Sequence, residues 1–231
     1  MAFARFGWPE ALSGNRFHAP VSEASLLEAA ASAGLREGHT LLELACGNGA
    51  VALFLAEAAH AYARGIDACA TMIGSACAHA ARSGAGHRAR FLHDDALHPD
   101  ALHGPVDLVV SLRGWGAGQG ASLGALLRPG GRLLLGCFRS PPGAPAEILA
   151  AFPLTTAAPP GEPIWRREAS PLEWERYYAP QESALRAYRR SLREGDPVSP
   201  VAIALDRQIA AFRAHGSSVC YELTVTASAG P

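Results

Sequence analysis

The sequence predicts an α/β fold: a seven-stranded, mostly parallel sheet with helices on both faces and an antiparallel last strand. Three observations favour it. Strand-length apolar segments alternate with helical segments between residues 40 and 138, which is typical of parallel strands joined by right-handed crossovers. A glycine turn, Gly47-Asn48-Gly49, separates the first strand from the next helix. Apolar and polar residues alternate over 219–226, as expected for a final strand.

Residues 1–34 are expected to form an N-terminal helical cap. The first 21 residues show no clean periodicity and are interpreted as an irregular or partly helical lead-in. Ser22 is a favourable N-cap for a helix that runs to Ala33, and Gly34 is a typical C-terminal stop. This segment therefore precedes the sheet without contributing a strand to it.

Residues 35–138 are predicted to hold the core of the fold. Its five strands are expected at 40–45, 61–67, 90–93, 106–112 and 132–138, with helices after the glycine turn, at about 71–82 and around 121–127. The nearly unbroken apolar run at 106–112 suits a central strand that is buried on both faces. The sequence Arg128-Pro129-Gly130-Gly131 is predicted to break the chain before the fifth strand.

Residues 139–231 are expected to supply the substrate-side elements and the final strand. Their first part, 140–163, is rich in Pro, Gly, Ala and Thr and indicates loops around one short helix. An edge strand is predicted at 164–169, followed by helices at 171–193 and 201–215. With the N-terminal cap, the elements in 170–215 would form a helical lid. We interpret residues 1–231 as a single domain.

Composition excludes several function classes. The net charge is -1, so there is no basic surface for nucleic acid. The chain contains no lysine, which rules out a Schiff-base lysine and a phosphate-loop lysine. The five cysteines form no CxxC pair and are interpreted as reduced core residues. No apolar run approaches the ~20 residues needed to span a bilayer, and no secretory pattern opens the chain, so we expect a cytoplasmic protein.

The glycine turn is suited to a cofactor that contains adenosine, and two cofactors compete for it. Gly47-Asn48-Gly49-Ala50-Val51-Ala52 fits the dinucleotide pattern, with Asp67 at a suitable distance to hold a ribose. Glu43 favours the second cofactor, S-adenosylmethionine, because burial of a carboxylate inside a short strand costs free energy unless a partner is near. S-adenosylmethionine carries an ammonium and a sulfonium and no phosphate, so it would supply that partner.

The motifs together resemble the class I S-adenosylmethionine-dependent methyltransferases over most of residues 35–138. The segment from Glu43 to Gly49 matches their first motif, with Ala45 where the commonest form has glycine. Four further segments match in order at the family's spacing: Gly65-Ile66-Asp67, His93-Asp94-Asp95-Ala96, Val106-Asp107-Leu108-Val109-Val110 and Leu127-Arg128-Pro129-Gly130-Gly131. The resemblance implies a Rossmann-like sheet and S-adenosylmethionine as the cofactor, with S-adenosylhomocysteine as the product.

The resemblance also assigns residues to the cofactor. Asp67 would bind the ribose hydroxyls and Asp95 the adenine amino group, although a slip of one residue would give that role to Asp94. The full set of expected cofactor-binding residues is Glu43, Ala45, Cys46, Gly47, Asn48, Gly49, Asp67, Ala68, Met72, Asp95, Ala96 and Ser111. Cys46 is expected to pack as a small apolar residue and not to act as a nucleophile.

Candidate substrate residues lie in three stretches. Arg16-Phe17-His18-Ala19-Pro20 and Trp174-Glu175-Arg176-Tyr177 resemble a bacterial small-molecule subgroup of the family, and Arg113-Gly114-Trp115-Gly116 follows the fourth strand. The expected substrate residues are Arg16, His18, Arg113, Trp115, Trp174 and Tyr177, and the candidates for a general base are His18, Tyr177 and Tyr178. Helical spacing of Trp174, Tyr177 and Tyr178 is also typical of a core. His93, His98 and His103 recur beside two aspartates, but their loop context argues against a metal site.

The sequence thus predicts methyl transfer to N, O, S or C of a small molecule, with a specialised metabolite as the expected substrate. Little covalent help is needed for displacement at a sulfonium methyl, so positioning and water exclusion would carry most of the catalysis. Two other functions stay open: a protein of the same fold that binds the cofactor without transferring its methyl, and an NAD-dependent reductase. The expected assembly is a monomer or homodimer.

Overall fold

The computed structural model describes residues 6–95, 104–114 and 119–227. Contacts divide these residues into two compact units. The sheet unit comprises the described parts of 22–137, 155–168 and 222–227, and the helical unit comprises 6–21, 138–154 and 169–221. Residues 22–34, predicted to be part of the N-terminal cap, thus belong to the sheet unit.

Seven strands form one sheet in the order β3-β2-β1-β4-β5-β7-β6. Pairing is parallel between β1 and β2, β2 and β3, β1 and β4, and β4 and β5, and antiparallel between β6 and β7. This confirms the predicted sheet and the antiparallel last strand. The strands are β1 Thr40–Leu44, β2 Tyr62–Asp67, β3 Ala89–His93, β4 Val106–Ser111, β5 Leu127–Arg139, β6 Pro163–Glu168 and β7 Cys220–Ala227.

Helices precede, connect and follow the strands. Ser22 caps α2 as predicted, since its side chain accepts a hydrogen bond from the Ser25 backbone N–H. Among the described helices, none combines the length and the apolar composition needed to cross a bilayer. The helices are α1 Trp8–Ala11, α2 Glu23–Ser32, α3 Ala50–Ala59, α4 Ala70–Arg82, α5 Gln119–Ala125, α6 Ala146–Ala151, α7 Pro171–Ser191 and α8 Pro200–His215.

The apolar core of the sheet unit lies around the central strands. Strands β1 and β4 are adjacent and almost entirely buried, which confirms that the apolar run in β4 is a central strand. The buried cluster comprises Leu42, Leu44, Ile66, Val106, Val109, Leu123, Leu126, Leu133, Leu135 and Cys137. This packing fixes the positions of the strand ends from which the candidate site is built.

Several element boundaries differ from the prediction by one or two residues, and the start of β5 differs by more. Strand β5 begins at Leu127 and not at Arg132, because the register against β4 shifts between its first two pairs and leaves the residues after Leu127 as a bulge. The predicted breaker at 128–131 therefore lies inside the strand, with Gly130 at a φ of 80°. Helix α5 accordingly ends at Ala125, before the predicted 127.

Strand β7 is buried on both faces. Its sequence alternates, yet the polar residues Glu222, Thr224 and Thr226 are buried like the apolar ones between them. The Glu222 carboxylate forms an ion pair with Arg166 of the neighbouring β6, with 3.3 Å between Oε2 and Nε. It also accepts a hydrogen bond from the Thr224 hydroxyl. Alternation in the sequence therefore does not mark a solvent-facing side in this strand.

Candidate cofactor site

The turn between β1 and α3 consists of residues in unusual backbone conformations. Gly47 and Gly49 have φ values of 54° and 70°, in the left-handed region that glycine adopts without steric cost. The Gly49 N–H donates to the Cys46 carbonyl at 2.9 Å, which closes the turn, and Gly49 is the N-cap of α3. The two glycines are therefore required by the backbone of the turn.

Ala45 adopts the same left-handed region with a φ of 52°, although it carries a Cβ. A left-handed residue other than glycine, asparagine or aspartate is uncommon and costs about 1–2 kcal/mol. Its methyl group packs against the apolar core cluster. The turn thus has the backbone conformation that glycine would favour. The packing of the Ala45 methyl group offsets part of the free energy that this conformation costs.

A second reason for glycine is close packing against β3. A Cβ at Gly49 would lie 2.6 Å from Cζ of Phe91, and a Cβ at Gly65 would lie 2.6 Å from Cδ1 of the same ring. Cys46 is also close, since its Sγ lies 2.8 Å from the Cβ position of Gly65. The Phe91 ring therefore occupies the space that side chains at both glycines would need.

Asp67, at the end of β2, connects the turn to its neighbouring strand. One carboxylate oxygen accepts the Gly47 backbone N–H at 2.8 Å, and the other accepts the Cys69 N–H at 2.8 Å. Each carboxylate oxygen can accept a further hydrogen bond, so these contacts leave acceptor capacity for ligand hydroxyls. Asp67 is therefore placed beside the turn, where the ribose contact was predicted, and also fixes the backbone of that turn.

Glu43 lies behind the turn and is buried, with 4% of its surface exposed. Its carboxylate accepts the backbone N–H of Ala52, in the first turn of α3, at 2.9 Å. Burial raises the pKa of Glu43 from 4.5 to about 8, opposed by the Ala52 N–H and increased further by the negative charge of Asp67. The carboxyl group therefore has a partner in the protein itself and retains its proton at neutral pH.

The ends of β2 and β3 also meet at this edge. In the parallel register, Asp67 of β2 lies opposite His93 of β3. The backbone N–H of Asp94 donates to the Asp67 carbonyl at 3.2 Å, and His93 Nε2 lies 3.0 Å from the Ala68 carbonyl oxygen. Asp94 and Asp95 are both exposed, and the Asp95 N–H donates to the Asp94 side chain. Both aspartates are thus near the end of β2. Ala96, His98 and His103 lie outside the described residues.

On the other side of β1, Ser111 ends β4 opposite Leu44. Its hydroxyl donates to the Gly114 carbonyl at 3.1 Å, and the Gly114 N–H donates to the Gly136 carbonyl, so the segment after β4 is tied to β5. Arg113 is exposed beside it. Trp115 lies outside the described residues.

The sheet unit therefore brings most of the predicted cofactor residues to one edge. Registers place the carboxyl ends of β3, β2, β1 and β4 side by side, and in open parallel sheets this is the ligand-binding edge. Met72, on α4, is buried, whereas Ala68 is exposed. Burial raises the pKa of the Cys46 thiol well above its ordinary range, which agrees with a packing role and not a nucleophilic one.

Sequence reasoning missed one contact of the turn. His79 of α4 lies with its Nδ1 3.2 Å from the carbonyl oxygen of Asn48. The Asn48 side chain in turn accepts the Ala50 N–H at 3.1 Å. No local pattern marks His79, because its role depends on how α4 packs on the turn.

The helical unit contains the predicted substrate and base candidates. Trp174, Tyr177 and Tyr178 are buried in an aromatic cluster with Phe212, in which the Trp174 ring stacks on Tyr178 at 5.7 Å and on Phe212 at 4.5 Å. Their helical spacing therefore reflects core packing in this unit. Arg16 is exposed, with its guanidinium 5.1 Å from the Phe17 ring centre, and His18 is half-buried.

Tyr178 is an unsuitable general base. It is completely buried, and among the described residues its hydroxyl has no hydrogen-bond partner. Burial raises the pKa of Tyr178 well above its ordinary value, and neighbouring Tyr177 adds to this rise. The phenol therefore keeps its proton at neutral pH, so this environment disfavours the base hypothesis for Tyr178.

Comparison with known proteins agrees with this geometry. Residues 41–131 match the family model of a methyltransferase domain. No curated protein matches the chain. Solved structures share the fold: an S-adenosylmethionine-dependent methyltransferase from Geobacter sulfurreducens in complex with S-adenosyl-L-homocysteine is 20% identical, with a TM-score of 0.78 over 94% of this chain and 96% of that chain.

Two further structures are similar at comparable coverage. YjhP from E. coli is 23% identical, with a TM-score of 0.76 over 95% of this chain and 97% of that chain. The [4+2]-cyclase SpnF is 17% identical, with a TM-score of 0.68 over 89% of this chain and 80% of that chain. Residues 41–131 thus match a methyltransferase domain, and the chain shares its fold with an S-adenosylmethionine-dependent methyltransferase.

Proposed function

We propose that the protein transfers a methyl group from S-adenosylmethionine to an N, O, S or C nucleophile of a small molecule, with a specialised metabolite as the expected class. The observation that carries the proposal is the Asp67 carboxylate, which lies beside the glycine turn at this edge of the sheet. The chain has no lysine, and the strongest charge acting on Glu43 is the like charge of Asp67. Such an edge favours a cationic cofactor over a diphosphate.

The residues of the turn fit this cofactor chemically. Asp67 would accept hydrogen bonds from the ribose hydroxyls, and Asp95 or Asp94 would accept from the adenine amino group. Glu43 would act from behind the turn, since its bond to Ala52 holds the start of α3 against β1. When bound, S-adenosylmethionine supplies an electrophilic methyl group on a sulfonium.

The reaction needs few steps from the protein. A nucleophilic atom of the substrate forms a bond to the methyl carbon while the carbon–sulfur bond breaks, which leaves a neutral thioether. Residues of the chain would hold the two reactants at near-attack distance and exclude water. If the nucleophile carries a proton, that proton leaves to water or to a base, for which His18 and Tyr177 stay the candidates. Arg16, Arg113, Trp115 and Trp174 stay the candidates for substrate contacts.

The remaining predictions belong to the same proposal. The net charge of -1 supports a small molecule and not a nucleic acid as the substrate. A cytoplasmic location without a membrane partner, a monomeric or homodimeric state and the absence of a metal are part of the proposal. So is the interpretation of 1–231 as one methyltransferase domain.

Calorimetry with S-adenosylmethionine and S-adenosylhomocysteine tests the cofactor proposal. Asp67→Ala is expected to weaken binding about tenfold to a hundredfold, because it removes charged acceptors at the turn. Gly47→Val should abolish it, because a β-branched residue does not tolerate a φ of 54°. The matched controls are Asp206→Ala, at a surface ion pair, and Gly74→Val, on α4. Unchanged affinity in Asp67→Ala and Gly47→Val would contradict the proposal.

A second function is supported by the similarity to the cyclase SpnF. In that case the protein would bind S-adenosylmethionine without transferring its methyl group. The two functions differ in one measurable product. Methyl transfer predicts that S-adenosylhomocysteine accumulates only when a methyl-accepting substrate is present, as a screen of labelled cofactor against a metabolite extract would show. NADH binding, detected by its fluorescence, would instead favour the reductase hypothesis.

A further inference from the structure

A histidine of α4 contacts the glycine turn of the candidate cofactor site. The Nδ1 of His79 lies 3.2 Å from the backbone carbonyl oxygen of Asn48, and the ring is half-buried. A carbonyl oxygen accepts hydrogen bonds and cannot donate them, so Nδ1 must carry the proton in this contact. The imidazolium and one of the two neutral forms of the ring both satisfy this requirement. His79 therefore acts as a donor to the backbone of the turn.

The contact completes the hydrogen bonding of one peptide group. The carbonyl of the peptide between Asn48 and Gly49 accepts from His79. The N–H of the same peptide donates to the Cys46 carbonyl at 2.9 Å. In a trans peptide the C=O and N–H groups point in opposite directions, so the two bonds together resist rotation of the peptide plane. The turn is thus held on one side by its own backbone and on the other by α4.

The two glycines allow the conformation of the turn but do not enforce it. Gly47 and Gly49 have positive φ values on either side of Asn48. Glycine adopts positive and negative φ values about equally readily, so sterics at these positions also allow other conformations of the turn. Hydrogen bonds must therefore select the observed one. The bond that Gly47 donates to Asp67 does so at the first glycine, and the bond from His79 does so before the second.

Helix α4 is placed to reach both parts of the site. Its N-cap residue, Cys69, donates its backbone N–H to Asp67, the candidate ribose acceptor, at 2.8 Å. Ala76 is buried one helical turn before His79, on the same face of α4. Its Cβ lies 3.0 Å from the position that a Cβ at Gly49 would take. The absence of a side chain at Gly49 therefore lets α4 approach closely enough for His79 to contact the turn.

We propose that His79 is a positioning residue for S-adenosylmethionine, because its bond to the Asn48 carbonyl holds the turn in the conformation that binds the cofactor. This inference deepens the proposed function and rests on its cofactor part, whether or not the methyl group is transferred. A turn that is ordered before binding loses less conformational entropy when the cofactor binds, and this raises the affinity. Removal of the donor should then weaken cofactor binding without the loss of a direct contact to the cofactor.

Two substitutions of nearly equal shape separate the hydrogen bond from packing. Asparagine carries an amide nitrogen on Cγ, as histidine carries Nδ1, so His79→Asn retains a donor to the Asn48 carbonyl. Leucine has nearly the same shape as asparagine and has no donor. In calorimetry of the full-length protein with S-adenosylhomocysteine, His79→Leu should bind about tenfold more weakly than the wild type, since one hydrogen bond is lost. His79→Asn should bind within about twofold of the wild type.

Ser75→Ala is the control on the same helix. The Ser75 hydroxyl is exposed and donates to the Thr71 carbonyl at 3.2 Å, within α4, so its removal should leave cofactor affinity unchanged. Wild-type affinity in His79→Leu would overturn the proposal. An equal loss of affinity in His79→Asn and His79→Leu would overturn it too, because the donor would then not be what the turn requires.

A measurement on the wild-type protein needs no variant. In the 15N-labelled protein without cofactor, a two-bond 1H–15N spectrum of the imidazole ring shows which nitrogen of His79 is protonated. We expect a proton on Nδ1. In His79→Leu we expect faster hydrogen exchange at the Gly49 amide than in the wild type, with unchanged exchange in β1. A His79 ring with its proton on Nε2 alone would contradict the proposal, since Nδ1 could then not donate.

The same measurements distinguish this inference from the proposed function. If the wild type binds S-adenosylhomocysteine and His79→Leu binds it equally well, only the inference fails. If the wild type does not bind the cofactor, the proposed function fails and the inference fails with it. Binding that is weakened in His79→Leu and restored in His79→Asn supports both.

Discussion

The buried carboxyl group of Glu43 accepts a hydrogen bond from the backbone N–H of Ala52 at 2.9 Å. It thereby caps α3 from the preceding strand, since Gly49, the N-cap residue, has no side chain to do so. The sequence suggested that this acid needs a cationic ligand as its partner. The structure shows that a backbone group already serves this purpose, so Glu43 connects the turn to the sheet before any ligand binds.

The raised pKa of Glu43 predicts a pH-dependent stability. The unfolded chain releases this proton near pH 4.5, whereas the folded protein holds it up to about pH 8. Glu43 therefore favours folding most below about pH 4.5, and this contribution falls as the pH rises to about 8. Glu43→Gln keeps an oxygen for the Ala52 N–H and cannot ionise, so it should raise stability at pH 9 by about 1 kcal/mol or more.

Urea unfolding at pH 5, 7 and 9 measures this effect. The free energy of unfolding should fall less with pH in Glu43→Gln than in the wild type. Glu222→Gln is the control, because that acid is also buried but is paired with Arg166. Parallel pH profiles for the wild type and Glu43→Gln would refute the expected protonation state.

Replacement of Ala45 by glycine is expected to stabilise the protein by about 1 kcal/mol. The left-handed φ of 52° costs free energy only when a Cβ is present. His60→Gly tests the same principle independently, because His60 ends α3 at a φ of 51°. Thermal unfolding provides the measurement.

Ala59→Gly, one residue earlier and inside α3, should destabilise by about 1 kcal/mol, since glycine disfavours helices. A lower melting temperature for Ala45→Gly than for the wild type would show that contacts of its methyl group outweigh the backbone strain.

Tyr178→Phe should leave stability unchanged or increase it, by about 1–3 kcal/mol at most, because it removes a buried hydroxyl that has no partner among the described residues. The matched substitution Tyr188→Phe should destabilise by about 1 kcal/mol, because the Tyr188 hydroxyl accepts the Ser199 N–H at 2.9 Å. Chemical denaturation of both variants gives the comparison. Equal losses of stability in Tyr178→Phe and Tyr188→Phe would mean that the Tyr178 hydroxyl is also hydrogen-bonded in the folded protein.

Gly65→Ala is expected to destabilise the sheet unit by about 1–3 kcal/mol, since the added methyl group would overlap the Phe91 ring and Cys46. Phe91→Leu should relieve part of this cost, so the double variant should be more stable than the sum of the two single effects. Gly74→Ala, where nothing lies within 4 Å, is the control and should be neutral or slightly stabilising. If the effects of Gly65→Ala and Phe91→Leu on stability are additive, the two positions are not in contact.

Local patterns were sufficient to predict the fold and the position of the turn. Strands β1, β2 and β4 are apolar segments of the right length, and the glycines at 47 and 49 have the left-handed backbone that the motif suggested. Parallel order then brings Asp67 and Asp95 toward one edge, because consecutive strand ends of such a sheet lie together. These features depend on residues near one another in the chain.

The sequence could not predict features that arise from distant contacts. The Asn15 amide donates to the Tyr177 carbonyl only because residues 14–15 pack on α7, and no periodicity marks this residue. The burial of Glu222 likewise follows from what covers β7, and the alternating pattern does not indicate it. Trp174 and Tyr178 had a recognisable spacing, but spacing alone does not distinguish a core from a lid.

The helical unit is assembled from three separate stretches of chain, so the backbone passes between the two units at residues 21–22, 137–138, 154–155, 168–169 and 221–222. Truncation from either end could therefore not remove one unit whole and leave the other intact, and no single crossover between related genes could exchange one of them whole. If the helical unit contacts the substrate, as proposed above, changes in substrate preference would have to accumulate as individual substitutions within this unit. Directed evolution of the proposed activity should consequently favour point-mutation libraries over domain shuffling.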